Sequence, residues 1–344
     1  MATDQKDPQT PSSQAAPASP ATGRRFVNEL TDQLAVDQVF LASDKQLRTN
    51  RQGNTYLQLE LSDKAGSIST RMWNATDQVA RQFENGDFVR VVGKAQLFQG
   101  AMQLIATRIS KAAPHEVDEA DFVVVSNEAK DHMAVRLGEM LRGISNVHLR
   151  DLGECYLADE EFMRKFTESP AGVKNHHAYR GGLLEHVVNL MEIILLIADR
   201  YPNVDRDQLL IGAFLHDSGK IRELNCEHGL TYTDEGQLIG HIVLGLSMLE
   251  AKRAEAEQMS GQKIPDDLFL RIRHLIVSHH GTNEFGSPTV PMTVEAIALH
   301  HLDNLDAKIH HFEALLRDDA NSESAWTQYH HNIGRKLYKG SSPS

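Results

Sequence analysis

The chain has 344 residues, an apolar fraction of 41% and a formal net charge of −12. The length exceeds the usual single-domain size, so two domains with ordinary cores are expected. The charge argues against a protein that coats nucleic acid through bulk electrostatics, and no apolar run reaches the roughly 18 residues that would span a membrane.

Residues 1–24 are rich in Pro, Ser, Ala, Gln and Thr and lack the apolar centre of a secretion signal. They cannot bury enough surface to offset chain entropy and are read as a disordered tail. The two cysteines, Cys155 and Cys226, form no metal-type pair, which together with the tail points to the cytoplasm.

From residue 25 to 113 the pattern is one of short strands and turns. Val36–Ala42 is apolar, Asp44–Asn54 reads as a polar loop, and Tyr56–Leu61 alternates as a half-buried strand does. A turn at Asp63–Gly66 precedes a strand over Ile68–Trp73. Helical spacing follows over Ala75–Phe83, with strands over Phe88–Leu97 and Met102–Ile109 joined by a turn at Gln99-Gly100. Three strands, a helix and two strands form the order of a five-stranded OB-fold β-barrel, which this segment resembles. Basic residues outnumber acidic ones there by about three. In such barrels a nucleic-acid strand crosses the second and third strands, with aromatic rings stacking on bases and cations following the phosphates. Arg48, Arg51, Tyr56, Arg71, Trp73 and Phe98 are the candidates for that role. The same aromatic residues would also serve as barrel core, and the barrel could bind protein or serve assembly instead.

Residues 114–125 are acidic and read as a linker. From residue 126 to 338 the chain is expected to be helical. Met133, Leu137, Met140, Leu141 and Ile144 recur at helical spacing, Leu149–Phe166 reads as a second helical run, and Val187–Ala198 as a buried helix. The only strand expected here is a short piece near Leu230–Thr233, and residues 339–344 are read as a disordered end. The fold class is therefore α+β multidomain, a barrel followed by an all-α bundle.

Fifteen of the 18 histidines lie from His176 onward. His186 sits in GGLLEH at the head of an apolar helix, and His216-Asp217 ends the run LLIGAFLHDSGK. A His-Asp pair closing so apolar a helix would be buried and in need of a strong partner, which a metal supplies. His241, then His279-His280, then Asp303 follow, each on its own expected helix, as ligands of helical bundles are.

The series His186, His216-Asp217, His241, His279-His280, Asp303 resembles the dinuclear ligand set of the HD superfamily of metal phosphohydrolases. The segments HHAYRGGLLEH from His176 and HHGTNEFGSP from His279 are similar to motifs of the YhaM-type 3′→5′ exoribonucleases, which carry an OB-fold barrel ahead of an HD domain. The resemblance implies that His186, His216, Asp217 and Asp303 hold one metal. Asp217 would bridge to a second, completed by His241, His279 and His280. Asp306 competes with Asp303 for its place, and the family pattern favours Asp303. Ligands of nitrogen and carboxylate without thiolate suit Mn²⁺, Fe²⁺, Co²⁺ or Ni²⁺, and the resemblance favours two Mn²⁺ ions. Two such ions share a water and lower its pKa. Asp217 is then a catalytic residue as well as a ligand. Lys220 is placed to reach the scissile phosphate, or else is a cation closing a helix C-terminus. Arg180, His176 and His177 are further substrate-binding candidates. His300 and His301 are read as structural, and His310, His311, His330 and His331 as surface residues.

The implied function is hydrolysis of single-stranded RNA from its 3′ end to nucleoside 5′-monophosphates. Single-stranded DNA as a second substrate and a homo-oligomeric state are left open. Cyclic-dinucleotide or other nucleotide phosphodiester hydrolysis is the alternative enzyme reading. The sequence after His279-His280 has Phe285-Gly286-Ser287-Pro288, lacking the Gly-Tyr-Pro element of the cyclic-dinucleotide branch. A nucleic-acid-binding assembly factor is the non-enzyme reading; its sign would be missing ligands, and the series has none missing.

Overall fold

The computed structural model describes residues 23–50, 52–98, 101–173, 179–225, 230–317, 319 and 324–340. Arg51, His176, His177, the Gln99-Gly100 turn, Cys226, residues 1–22 of the expected tail and the last four residues lie outside the described residues.

Five strands close a barrel in the order β1-β2-β3-β5-β4, with β1 at Ala35–Thr49, β2 at Thr55–Asp63, β3 at Gly66–Trp73, β4 at Phe88–Phe98 and β5 at Ala101–Lys111. All adjacent pairs are antiparallel except β3 and β5, which are parallel. The period-2 pattern explains the core. Leu57, Leu59 and Leu61 of β2 are buried, together with Phe40, Ile68, Val89, Val91, Leu104 and Ile109, while the alternate residues face outward.

Two sequence expectations shift in the barrel. The polar segment after Ala42 is strand as far as Thr49, because Gln46–Thr49 pair in register with Thr55–Gln58 after a bulge between Ser43 and Gln46. Its polar side chains belong to an outward strand face rather than to a loop. The helix expected over Ala75–Phe83 contracts to α1, Asp77–Ala80, whose start is capped by the Thr76 side chain accepting from the Val79 amide. Acids of the expected linker are tied back to the barrel. Glu116 pairs with Arg90 at 2.6 Å, and Asp121 with Arg24 at 3.3 Å. Arg24, assigned to the tail by the sequence, also meets the buried Asp63 at 3.4 Å.

The helical part comprises α2 (Asn127–Arg142), α3 (Val147–Leu157), α4 (Glu160–Glu168), α5 (Gly182–Ile197), α6 (Arg206–Leu215) and α7 (Lys220–Glu223). After these come α8 (Asp234–Ile239), α9 (His241–Ser260), α10 (Asp266–Ser278) and α11 (Val294–Arg317). The run Leu149–Phe166 is two helices, because Asp159 accepts from the Phe162 amide and starts α4 afresh. The strand expected near Leu230 is β7, Thr231–Tyr232, paired with β6, Leu224–Asn225, which the sequence reading did not foresee. Residues 324–338, expected to continue the helical domain, instead form with Lys339 and Gly340 of the expected disordered end a short hairpin with bridges Trp326–Tyr338 and His330–Arg335. Among the described residues no helix is long and apolar enough to cross a membrane.

One core runs through the bundle, built from Leu183, Val187, Leu190 and Ile194 of α5, Leu209 to Leu215 of α6, and Ile272, Leu275 and Ile276 of α10. Among the described residues, polar side chains enter it mostly where helices begin or end, with Asp306 in the middle of α11 as an exception, and backbones there come close together. Gly219 makes the closest of these approaches. A Cβ there would run into the His241 carbonyl oxygen and lie 2.6 Å from the Gly245 amide nitrogen. Only hydrogen at this position lets the start of α9 rest on the turn after His216-Asp217. Gly219→Ala is expected to lower stability by about 1–3 kcal/mol, the usual cost of overpacking. Equilibrium unfolding by urea in chelator checks this, and a wild-type midpoint would overturn the claim.

Candidate metal centre

The seven residues of the histidine-aspartate series come from five helices or their ends and converge on one buried place. His186 lies in the second turn of α5, His216 caps the end of α6 and Asp217 follows it. His241 opens α9, His279 caps α10 with His280 next, and Asp303 lies within α11. His216 is 0% exposed, His186 and His279 1% and Asp217 3%. Two groups of potential ligand atoms result, one from His186, His216 and Asp303 and one from His241, His279 and His280, each with its atoms within 4.8 Å of one another.

Asp217 stands between the two groups. Its Oδ2 is 3.3 Å from His216 Nε2 and 3.9 Å from His186 Nε2, while its Oδ1 is 3.5 Å from His241 Nε2 and 3.7 Å from His279 Nε2. Asp303 Oδ1 is 3.2 Å from His186 Nε2 and 3.8 Å from His216 Nε2.

Every one of the five imidazoles has its Nδ1 engaged by an oxygen: His186 by Asp306 at 2.6 Å, His216 by the Ala213 carbonyl at 2.8 Å, His241 by Glu223 at 3.0 Å, His279 by the Ile276 carbonyl at 2.7 Å and His280 by the Phe285 carbonyl at 2.7 Å. Carbonyl and ionised carboxylate oxygens only accept, so Nδ1 carries the proton, and each ring in its neutral form presents its Nε2 lone pair. That is the form in which histidine binds a metal, its other nitrogen held by an acceptor.

The electrostatics favour the neutral ring at His279 and His280, whereas at His186 the neighbouring carboxylates favour the protonated ring until a cation takes the place of its Nε2 proton. Burial pushes His279 well below the ordinary imidazole range, with His216 adding to the effect, and burial beside His241 lowers His280. Burial opposes charge on Asp217, but Lys220 and His216 hold its carboxyl well below the usual range. Burial likewise opposes charge on His186, yet hydrogen bonds to Asp303 and Asp306 lift it to about 10. Asp217 Oδ1, His241 Nε2 and His279 Nε2 are buried and have no hydrogen-bond partner among the described residues. Three orphaned polar atoms facing one another would each cost about 1–3 kcal/mol if left so. A divalent cation would satisfy all three, so the residues fit a metal.

Two residues that sequence reasoning did not bring into the site as supports are Asp306 and Glu223. Asp306 is 5% exposed and is bonded to His186 Nδ1 rather than placed beside the Nε2 atoms. Its position three residues after Asp303, on the same helix face, was the available signal. Glu223 accepts from both the backbone amide and Nδ1 of His241, each at 3.0 Å; nothing in the sequence marks it.

Of the remaining candidates, Lys220 bonds Asp217 Oδ2 at 2.6 Å. It is the first residue of the one-turn helix α7. Arg180 is exposed and lies 3.6 Å from Glu168. His300 donates to or accepts from no ligand side chain; its Nδ1 meets the His279 carbonyl oxygen at 2.8 Å. On the barrel, Arg48, Tyr56 and Trp73 form one cross-strand row, with Arg71 opposite Gln58 on the same face. Tyr56 and Trp73 ring centroids are 5.2 Å apart. Trp73 is 47% and Phe98 46% exposed, so neither is barrel core.

Asp306→Ala is expected to weaken Mn²⁺ binding about 10–100-fold, the usual effect of removing such a support, with Glu223→Ala acting in the same direction on the other group. Isothermal titration of the metal-free protein reads this. Wild-type affinity in both variants would remove these carboxylates from the site.

The HD domain family model matches residues 183–308, which span the series from the first turn of α5 to past Asp306, and the OB-fold nucleic acid binding domain model matches residues 43–112. Three curated relatives carry the name 3′-5′ exoribonuclease YhaM. The protein of Bacillus licheniformis is 34% identical over 292 residues, covering 85% of this chain and 90% of the relative. That of Bacillus velezensis is 36% identical over 277 residues, covering 80% and 85%. That of Bacillus subtilis is 35% identical over 284 residues, covering 82% and 87%. With identity at this level running through barrel and bundle alike, the chain belongs to the YhaM family and is a hydrolase of the HD class.

Proposed function

We propose that this protein is a metal-dependent exoribonuclease that shortens single-stranded RNA from its 3′ end and releases nucleoside 5′-monophosphates. The observation that carries the reading is the set of five imidazoles, each locked through Nδ1, around the buried Asp217 carboxylate. His186, His216 and Asp303 would hold one divalent ion, His241, His279 and His280 a second, and Asp217 would offer one oxygen to each. Mn²⁺ is the ion we assign, on the nitrogen and carboxylate donor set and the family. Two ions in such a site supply a water of lowered pKa and positive charge beside a phosphate oxygen.

The chain's own residues do the rest. Lys220, 12% exposed at its side chain and bonded to Asp217 Oδ2, places a cation at the rim where a phosphate oxygen would approach. Its charge is most valuable as negative charge grows on the phosphate in the transition state. Water oxygen joins phosphorus, the bond from phosphorus to the 3′ oxygen breaks, and that oxygen leaves as the new 3′ hydroxyl. The barrel, residues 25–113, would grip the strand, with Tyr56 and Trp73 stacking on bases and Arg48 and Arg71 meeting phosphates. The helical domain, residues 126–338, would cut it. Arg180 would add a contact at the mouth, and single-stranded DNA would pass the same elements.

The decisive test is a Mn²⁺-supplemented digest of RNA labelled at its 5′ end. A ladder of progressively shorter labelled products is expected, lost in Asp217→Ala. Intact RNA, with a cyclic dinucleotide cleaved alongside, would replace this reading by the alternative phosphodiesterase. Trp73→Ala is expected to weaken binding of labelled oligoribonucleotide by about tenfold, within the range of one lost stacking partner; an unchanged Kd by fluorescence anisotropy would exclude the barrel face as the grip.

A further inference from the structure

The hairpin at residues 324–340 carries aromatic rings that remain about half exposed. Its arms are joined by the Thr327 amide to the Leu337 carbonyl at 2.8 Å, the His330 amide to the Arg335 carbonyl at 3.0 Å and the Lys339 amide to the Ala325 carbonyl at 2.8 Å. Thr327 and Leu337 are buried and anchor it. Further anchors are Lys339 on Asp319 at 2.6 Å, Asn332 on His311 at 3.3 Å and Arg335 over the Phe312 ring at 5.4 Å. On the outside, Trp326 faces Tyr338 across the ladder with ring centroids 5.0 Å apart, and the two are 49% and 58% exposed. Tyr329 at the far end is 51% exposed and lies 5.2 Å from His331.

Charge separates this segment from the rest of the chain. The whole protein carries −12, yet residues 324–340 contain Arg335, Lys336 and Lys339 and no acid; with Lys339 paired to Asp319, Arg335 and Lys336 are the exposed cations. Half-exposed aromatic faces beside cations are what a strand of nucleotides requires, its bases stacking on rings and its phosphates meeting positive charge. A surface meeting another protein through apolar contact has no need of that charge.

Position adds to the case. The hairpin is fastened to α11 at His311 and Phe312, and α11 also carries Asp303. At 1.5 Å per residue these points lie about 12–14 Å along the helix from Asp303, a reach of a few nucleotides.

We propose that this carboxyl-terminal hairpin is a second single-stranded nucleic-acid contact, separate from the barrel face, which holds the substrate a few nucleotides from the metal centre through Trp326, Tyr338 and Lys336. It rests on the reading of RNA as substrate. It makes the enzyme favour chains long enough to reach the hairpin over the shortest substrates.

The test uses the full-length, Mn²⁺-loaded enzyme with two substrates, the dinucleotide ApA, which cannot reach the hairpin, and a long oligoadenylate, which can. The KM ratio of the two is read within one preparation, so partial loss of folded protein cancels. Trp326→Ala/Tyr338→Ala is expected to shrink that ratio about tenfold, the size of one or two lost stacking contacts, whereas Trp326→Phe keeps most of it. Lys336→Glu, a fully surface change, is expected to reduce the salt dependence of oligoadenylate KM by about one phosphate contact. A wild-type ratio in the double variant together with a wild-type salt slope in Lys336→Glu would overturn the proposal. So would a variant whose only change is a lower mass in sedimentation, since the face would then join copies of the chain. Wild-type enzyme that cuts ApA and oligoadenylate while the ratio never moves sinks the hairpin alone; wild-type enzyme that cuts neither sinks the RNA reading with it.

Discussion

A carboxylate taken out of water governs the architecture of the helical domain. An ion of that size loses several kcal/mol of solvation in a protein interior unless charge and hydrogen bonds replace it. Asp217 is 3% exposed, and its replacements are Lys220 on one oxygen and the imidazole edges on both. Those groups sit where helices stop or start, where a polar side chain enters the core without displacing an apolar face. The end of α6, the start of α9 and the end of α10 therefore meet at one point, and Gly219 removes the atom that would keep α9 away.

The five imidazoles are held in two ways. His216 and His279 each bond the carbonyl three residues earlier, at Ala213 and Ile276, using acceptors that a helix leaves unpaired at its C-terminal end. These two are oriented by their own helices and need no tertiary partner. His186 and His241 instead depend on carboxylates from other elements, Asp306 of α11 and Glu223 of α7. A carboxylate behind an imidazole raises its basicity more than a carbonyl does, so the two halves of the centre each contain one more strongly donating ring. His280 is held by the loop it precedes, through the Phe285 carbonyl.

The barrel solves a different problem. Its interior is filled by aliphatic residues of β2 and their neighbours, which leaves Arg48, Tyr56 and Trp73 in one outward row with no core to enter. A tryptophan left half exposed beside a tyrosine forgoes burial worth a few kcal/mol. The Tyr56–Trp73 ring contact recovers part of it, and a ligand stacked on the pair would recover more. The same reasoning applies to Trp326 and Tyr338 at the other end of the chain, where no barrel is present and the scaffold is a short hairpin.

Much of this was legible in the sequence because it depends on order and period alone. The alternation along Tyr56–Leu61 marked a barrel strand, and the appearance of His186, His216-Asp217, His241, His279-His280 and Asp303 on successive helices marked a metal centre. Periodicity misread the second half of β1, where polar residues on an outward strand face look like a loop until their partners in β2 are known. It also merged α3 with α4, since the Asp159 cap competes with a continuous apolar stripe. The roles of Asp306 and Glu223 lay beyond reach, because which atom of a carboxylate meets which nitrogen depends on how α11 and α7 are rotated against α5 and α9. The sequence by itself determined which residues could bind a metal and that they would lie on successive helices. Only the tertiary structure decided which oxygen of Asp217 faces which imidazoles, because that choice depends on packing between helices far apart in the chain.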